Sequence, residues 1–412
     1  MQVLEQRVGM AWKDADVRHI DDDQRRFRLA RRHALHPAHR AADPVAATRA
    51  MTVLHATEAA TVYLSVRART DDVGVDAIDR ALYDDRALVK QLAMRRTLFV
   101  FPRDLLGAAW GSAAARVAGT ELRRLAQEIE RAAVSAAGIA WVDAQVDAVV
   151  ARLAESSGLD VAALRSAVPA LESRIMFGSG KWTQEAPAAS RVVTVAGARG
   201  AIVRGRNDSH WRQSRPLWES TASWLGGDVP PALEESAGYA ELVRRWLRSF
   251  GPGTETDLVW WLGATKSIVR RALTDVGAVE VSLDSGDTGY VLPDDLDPVE
   301  PVEPWAALLP ALDPTTMGWK QRDFHLHPDD VPYLFDRAGN GGTTAWWNGR
   351  IVGCWVQDPD GVVQVVLRHP GDLGREAHAA LEREADRLTR WLDGTVVNTI
   401  YASPQMKGIP LP

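Results

Sequence analysis

A histidine and a threonine, His55 and Thr57, stand two positions apart where two helical patterns meet. A neutral imidazole can accept a hydrogen bond from water and take up a proton near neutral pH. A threonine hydroxyl can hold the same water or orient the imidazole. The pair therefore predicts a site that positions water for attack on a bond. The structural alternative is that Thr57 caps the second helix and His55 ends the first, since small polar side chains cluster at helix ends.

Other polar residues give weaker signals. Glu58 could supply negative charge, although a solvated glutamate in a first helical turn is the simpler interpretation. His325 and His327 lie close to two aspartates, but they have no helix-spaced partner, and Cys354 is the single cysteine. We therefore predict no metal site and no cofactor. Asp313 is interpreted either as a site residue or as a turn aspartate.

The composition indicates an ordinary soluble globular protein. The chain has 412 residues, of which 46% are apolar and 25% charged, so two to four folding units are expected. One cysteine excludes a disulfide framework, and no apolar run reaches the length of a membrane span. The charged leader, residues 1–23, lacks an apolar signal-peptide core, so we predict a cytoplasmic protein.

The distribution of charge is uneven. The net charge of −6 does not by itself indicate a nucleic-acid partner. Residues 24–49 nevertheless hold seven arginines against one acid, and residues 198–215 hold five against one. Such stretches are compatible with phosphate binding, but they are often only solvated faces.

Three segments share an order of helices followed by strands, which indicates a winged helix in each. The first unit (residues 24–110) is predicted to have helices over 24–36, 44–55, 58–69 and 76–94 and a strand over 97–102. The second (111–235) is predicted to have helices over 103–136, 141–156 and 159–175 and strands over 191–195 and 201–204. The third (236–292) is predicted to have helices over 241–250, 255–262 and 266–275 and strands over 278–283 and 288–292.

The last part of the chain has a different pattern. Residues 293–304 contain four prolines and five acids without a base, which indicates a semi-rigid linker. In residues 305–412, Asn348-Gly349 between β-forming residues favours a type I′ hairpin, and a strand over 361–367 and a long helix over 377–392 follow. We therefore predict an α+β fold: tandem winged-helix units, then a C-terminal antiparallel β domain with a long terminal helix.

Several winged units in one chain indicate a protein that binds duplex DNA, because the second helix of each can enter a groove. Arg95 and Arg96, at the root of the strand over 97–102, are candidate phosphate contacts, with an exposed ion pair as the alternative. The tip Asn348-Gly349-Arg350 presents a cation on a narrow probe that could enter a groove, with a plain surface hairpin as the alternative.

Five stretches together resemble the AlkZ/YcaQ group of bacterial winged-helix DNA glycosylases, over roughly residues 24–405. They are residues 54–70, 94–102, 250–263, 309–313 and 348–353. The resemblance implies tandem winged helices and a C-terminal β domain around duplex DNA, and hydrolysis of the N-glycosidic bond of bulky or crosslinked alkylpurines. We expect a monofunctional, monomeric glycosylase that removes N7-alkylguanine adducts, in DNA repair or in self-resistance to a genotoxic natural product.

The catalytic motif of that group is glutamine, an aliphatic residue and glutamine, and the resemblance places it at His55, Ala56 and Thr57. Both catalytic side chains therefore differ here. N7-alkylguanine is already a cationic leaving group, so hydrolysis needs a positioned water and stabilisation of the sugar cation rather than a strong acid. The predicted roles are His55 as the main catalytic group and Thr57 as its partner. The alternative function is a non-catalytic winged-helix DNA-binding protein, either an adduct binder or a transcriptional regulator.

Overall fold

The described residues that precede the first helix are part of the fold. The computed structural model describes residues 17–178 and 183–409, so residues 1–16 of the predicted leader lie outside the described residues. Strand β1 (His19–Ile20) pairs in parallel with residues 282–283 of the third segment. Asp21 then caps the first helix by accepting the N–H of Gln24.

The first segment forms a three-stranded antiparallel sheet of order β2-β4-β3, flanked by short helices. The predicted helix over 76–94 is correct only for its first part, since residues 75–84 are helical. Its second part is wrong, because residues 88–93 pair along their whole length with the next strand, and tertiary pairing overrides local helical preference. The predicted helix over 44–55 ends at Ala50, since Thr52 has a φ of 62°. The elements are α1 (Asp22–Arg32), α2 (Pro44–Ala50), β2 (Leu54–His55), α3 (Ala59–Arg69), α4 (Val75–Asp79), β3 (Leu88–Ala93), β4 (Thr97–Pro102) and α5 (Leu106–Gly111).

The second segment is mainly helical and has its own hydrophobic core. The strand predicted over 191–195 is wrong: these residues lie in a helix whose valines face that core. The predicted helix over 159–175 ends at Ala167, and a strand begins at Arg174. The elements are α6 (Ala113–Arg131), α7 (Gly138–Ala154), α8 (Val161–Ala167), β5 (Arg174–Phe177), β6 (Gln184–Pro187), α9 (Ala189–Ala198), β7 (Ile202–Asn207), β8 (Pro216–Ser220) and α10 (Thr221–Trp224).

The third segment has the helices and strands that the sequence predicts. Thr254 and Asp257 form a reciprocal capping box at the start of its second helix, and Gly263 ends that helix with a left-handed conformation. Its sheet has the order β1-β10-β11-β9. The elements are α11 (Glu235–Phe250), β9 (Gly253–Thr254), α12 (Glu255–Leu262), α13 (Lys266–Asp275), β10 (Val279–Leu283) and β11 (Thr288–Val291).

The C-terminal segment is an antiparallel sheet of order β12-β13-β14-β15 covered by a long helix. The predicted hairpin is present, and both turn residues have positive φ, 46° for Asn348 and 80° for Gly349, as a type I′ turn requires. The elements are β12 (Ala306–Leu309), α14 (Pro314–Met317), α15 (Val331–Leu334), β13 (Thr344–Trp347), β14 (Arg350–Gln357), β15 (Val363–Leu367) and α16 (Arg375–Leu392). Among the described residues, no helix combines the length and apolar character needed to cross a bilayer.

The arginine-rich helix α1 is held inside the protein rather than solvated. Arg28 and Arg32 both bind the Asp295 carboxylate in the predicted linker, and Arg31 donates to the Glu300 carbonyl. Residues 293–304 form no helix or strand, but they are bound to α1 along their length. The arginines of this helix that contact residues 293–304 therefore have a structural role.

Candidate active site

A basic cleft of about 680 Å³ opens between the sheet of the first segment and the region formed by α9, β7 and β8. It is lined by more cations than carboxylates. The cations are Lys90, Arg96, Arg204 and Arg215, and the carboxylates are Asp160 and Asp208. This excess of positive charge suits the cleft to an anionic ligand.

Thr57 lies on the wall of this cleft with an exposed side chain. It follows β2, in which Leu54 pairs with Val100 of β4, and Val100 in turn pairs with Lys90 of β3. Cross-strand partners point to the same face of a sheet, and residues two apart share that face. The face that carries Lys90 and Leu92 is accordingly the face that lines the cleft.

The His55 ring lies on the opposite face of the sheet. His55 pairs with Phe99, their ring centroids lie 5.4 Å apart, and the histidine is 8% exposed. His55 is not among the residues that line the cleft. The structure thus separates the two predicted catalytic side chains: Thr57 faces the cleft, and His55 lies behind it.

The backbone nevertheless joins the pair. Nδ1 of His55 accepts a long hydrogen bond, 3.4 Å, from the Thr57 N–H. Burial, with a contribution from the charge of Arg95, lowers the pKa of His55 to about 3, so the ring is neutral near pH 7. With Nδ1 as acceptor, this hydrogen bond assigns the ring proton to Nε2. His55 therefore supports the Thr57 backbone and offers a donor rather than a strong base.

The alternative in which Thr57 caps the second helix and His55 ends the first is wrong. His55 belongs to β2 rather than to a helix, and the N-cap position of α3 is occupied by Glu58, whose side chain makes no capping bond. The Glu58 carboxylate instead accepts the Thr399 hydroxyl at 2.7 Å and the Ile400 N–H at 2.8 Å. Burial raises the pKa of Glu58, and the residue faces away from the basic cleft into a smaller one. Glu58 fastens the C-terminal segment to the start of α3.

Arg95 and Arg96 form the turn between β3 and β4, with φ of 55° and 58°. The Arg95 guanidinium stacks 4.0 Å above the Trp260 ring of α12, and burial together with Arg322 lowers the pKa of Arg95 to about 10. Arg96 is half exposed on the cleft rim and pairs with Glu121 at 3.0 Å. Arg95 thus joins the first sheet to the third segment, and Arg96 is the member of the pair that lines the cleft.

The hairpin tip rests on α1. Gly349 is buried against Arg26, so closely that a Cβ at this position would lie 2.8 Å from the Arg26 Cβ. The side chains of Asn348 and Arg350 are exposed on either side. The tip is therefore a supported ridge, and these two side chains are the parts of it that face solvent.

Lys90 is not among the site residues predicted from the sequence, because the residues around it were predicted to be helical. Arg204 and Arg215 lie in the second arginine-rich stretch, which gave a general signal without assigning these two residues to a site. Their common location follows from the β7–β8 hairpin and its loop, which form one side of the cleft. In the described part of the chain, no group of three or more histidine, cysteine or acidic side chains is arranged to hold a metal ion.

Comparisons relate the chain to known proteins. The profile of the family described as "DNA glycosylase AlkZ-like" matches residues 48–391. Among solved structures, the chain is similar to the Streptomyces sahachiroi DNA glycosylase AlkZ, with a TM-score of 0.74 and 20% sequence identity, over 92% of this chain and 98% of that chain. At this identity the likeness shows the fold, a mixed α/β arrangement of helices and antiparallel sheets. No curated protein sequence matches the chain.

Proposed function

The chain belongs to the AlkZ-like family of DNA glycosylases, and on that premise we propose that it removes bulky or crosslinked N7-alkylguanine adducts from duplex DNA. The biological role would be DNA repair or self-resistance to a genotoxic natural product. One observation carries the assignment of the site: Thr57, at the last position of the catalytic motif implied by the resemblance, has its exposed side chain on the wall of the basic cleft.

The proposed chemistry assigns separate tasks to the two motif residues. Alkylation at N7 places a positive charge on the base, so the glycosidic bond breaks without a strong acid and leaves a cationic sugar. The Thr57 hydroxyl holds the water that attacks C1′, and the water gives its proton to solvent. Asp208, which is exposed on the cleft wall, provides negative charge toward the sugar cation. His55 acts through Thr57, because its Nδ1 holds the Thr57 N–H.

The proposed DNA contacts are the arginines that line the cleft. Arg96, Arg204 and Arg215 surround the cleft and are placed to bind phosphates on both sides of the adduct. Asn348 and Arg350 on the hairpin ridge form a second contact beside the lesion. The tandem winged-helix arrangement also belongs to this proposal; its best support is the third segment, where α12 and α13 precede the β10–β11 hairpin.

A single-turnover glycosylase assay tests the proposal. Duplexes that carry one bulky N7-alkylguanine, or one N7-methylguanine, are incubated with excess protein, and abasic sites are measured by alkaline cleavage. We expect excision of the bulky adduct, and Thr57→Val should slow it about 100-fold, because a misplaced water has that cost. Thr57→Ser retains the hydroxyl and should remain close to the parent. Thr120→Val is the matched control, since Thr120 is exposed on α6 and does not line the cleft.

Two results would contradict the proposal. Equal rates for the parent and Thr57→Val would remove Thr57 from the reaction. Tight binding of the adduct without abasic sites, at any protein concentration, would favour the second candidate, a non-catalytic DNA-binding protein. The buried position of His55 is the observation that favours this candidate, because it leaves the cleft without the imidazole expected there.

A further inference from the structure

We propose that Lys90 is an amine nucleophile that captures the abasic site left by base excision and so gives the enzyme an abasic-site lyase activity. The inference rests on the proposed function, because the abasic sugar is the product of that excision. It differs from the monofunctional enzyme that the sequence leads us to expect.

Lys90 and Thr57 line the same cleft. Lys90 lies in the cross-strand row Lys90–Val100–Leu54, which covers two inter-strand spacings, or about 10 Å. Thr57 follows three residues after Leu54 and leaves the sheet on the cleft side. A lysine side chain is a flexible four-carbon stem with its amine at the end. The proposal places C1′ of the abasic sugar in the part of this cleft between Thr57 and Lys90, with the lysine side chain extended toward it.

The surroundings of Lys90 differ from those of a structural lysine. Nζ donates to the Tyr83 hydroxyl at 2.7 Å and lies 4.9 Å from the centre of that ring. Within the described part of the chain, no carboxylate pairs with Nζ. Burial raises the pKa of Tyr83 to about 12, so its hydroxyl remains a neutral partner. The charge of Arg204 opposes protonation of this lysine, and the Asp79 carboxylate, which favours it, acts only from beyond ion-pair distance and is outweighed by burial.

These surroundings favour the reactive form of the amine. Burial, followed by the charge of Arg204, lowers the pKa of Lys90 to about 8. Roughly a quarter of the amine is then neutral at pH 7.5, against about one part in a thousand for an ordinary lysine. The neutral amine is the nucleophile toward a carbonyl, and burial beside another cation is a known way to activate a lysine.

The proposed strand cleavage proceeds through an imine between Lys90 and the abasic sugar. The neutral Nζ attacks the C1′ aldehyde of the ring-opened abasic sugar, and the carbinolamine loses water to give a protonated imine. The imine makes the C2′ hydrogen acidic. When that proton passes to water, its electron pair expels the oxygen at C3′, and the downstream DNA leaves with a 5′-phosphate. Water then hydrolyses the imine and restores the amine.

Trapping on a preformed abasic site tests this step without requiring base excision. A duplex with one deoxyuridine is converted to an abasic duplex by a uracil glycosylase, and the full-length protein is added with sodium cyanoborohydride. We expect a covalent protein–DNA adduct on a denaturing gel, and a strand break at the abasic site when the reductant is omitted. Mass spectrometry of the digested adduct should locate the DNA on the peptide that contains Lys90.

Substitutions at Lys90 distinguish the loss of the nucleophilic amine from the loss of its positive charge. Lys90→Met removes both, Lys90→Arg keeps a cation that cannot form an imine, and both should lower the adduct at least about tenfold. Lys407→Met, on an exposed lysine near the C-terminal end that does not line the cleft, should leave it unchanged. Absence of an adduct with the parent, or an adduct mapped to another amine, would overturn the proposal even if adducted guanine is excised. An adduct on Lys90 without excision would instead count against the proposed function alone.

Discussion

Arg69 of α3 and Asp313 at the start of α14 form a two-point ion pair that is fully buried. The guanidinium nitrogens lie 2.8 and 2.7 Å from the two carboxylate oxygens, and both side chains are 0% exposed. The same carboxylate accepts the hydroxyl of Ser65 at 2.6 Å and the Thr315 N–H at 2.9 Å. Asp313 is therefore both the cap of α14 and the link between that turn and the helix that follows residues 55–57.

Asp313→Asn should lower the free energy of unfolding by about 3–5 kcal/mol, because it leaves the Arg69 charge buried without a partner. Urea denaturation of the two proteins measures the change. The control is Asp329→Asn on an exposed aspartate, which should change the free energy of unfolding by less than about 0.5 kcal/mol. The double variant Arg69→Met with Asp313→Asn removes the buried charge and should recover part of the loss; no recovery would contradict the role assigned to the pair.

Four histidines are buried, and the three of them that lie deepest from solvent, with strongly lowered pKa values, should make the protein sensitive to acid. Burial lowers the pKa of His55 to about 3 and the pKa values of His33 and His325 well below the usual range. Between the folded and unfolded pKa values, the unfolded chain binds protons that the folded chain does not. Stability is therefore fully present above about pH 6.5 and falls as the pH decreases below it, by about 1.4 kcal/mol per pH unit for each histidine.

Urea denaturation at a series of pH values from about 7.5 down to about 5 measures this slope. His55→Asn removes one of the three groups and should reduce the slope by about one third. His327→Asn, on an exposed histidine, should leave it unchanged. A stability that does not depend on pH over this range would mean that the three rings are accessible to protons in the folded state.

Local signals predicted the third segment and the C-terminal hairpin, because their bounds depend on contacts a few residues apart. Thr254 with Asp257 and Asn348 with Gly349 are examples, and both motifs have the predicted geometry. Residues 88–93 were predicted as helix and form a strand, because their partner strand lies beyond the Arg95 turn and its pairing decides their conformation. Sequence periodicity carries no information about which of the two outcomes tertiary pairing will select.

Only part of the candidate site could be predicted from the sequence, because the rest depends on strand pairing and on the docking of segments. The motif positions were identified from the sequence, but the face on which each side chain lies depends on the register between β2 and β4. A shift of one residue in that register would exchange the faces of His55 and its neighbours. Lys90, Arg204 and Arg215 come together only when the second segment docks against the sheet, which no local pattern specifies.

Arg350 is expected to contribute one phosphate contact from the hairpin ridge. Arg350→Ala should weaken binding to adducted duplex and reduce the slope of log K against log salt by about one unit. Fluorescence anisotropy over a salt series measures both quantities. Arg383→Ala, on the exposed face of α16, is the matched control and should leave the slope unchanged. A point substitution is preferable to a shorter hairpin, because the tip also supports Arg26. An unchanged slope in Arg350→Ala would place the duplex elsewhere.

His55 is expected to act on excision through Thr57 and without titrating. His55→Ala should slow excision of a bulky N7-alkylguanine about tenfold, because it removes one hydrogen bond that holds the Thr57 backbone. His55→Asn, whose side-chain oxygen can accept the same N–H, should retain most of the rate. Since the pKa of His55 is about 3, the single-turnover rate of the parent should show no ionisation of this residue between about pH 5 and pH 8.

The pH dependence of the excision rate distinguishes a supporting role of His55 from general-base catalysis. A limb near pH 6.5 that is present in the parent and absent from His55→Asn would show that His55 takes up a proton during the reaction, against the buried and neutral ring described above. Equal rates for the parent and His55→Ala would instead remove His55 from the mechanism altogether. His327→Ala is the control for loss of an exposed imidazole, and its rate should equal that of the parent at every pH.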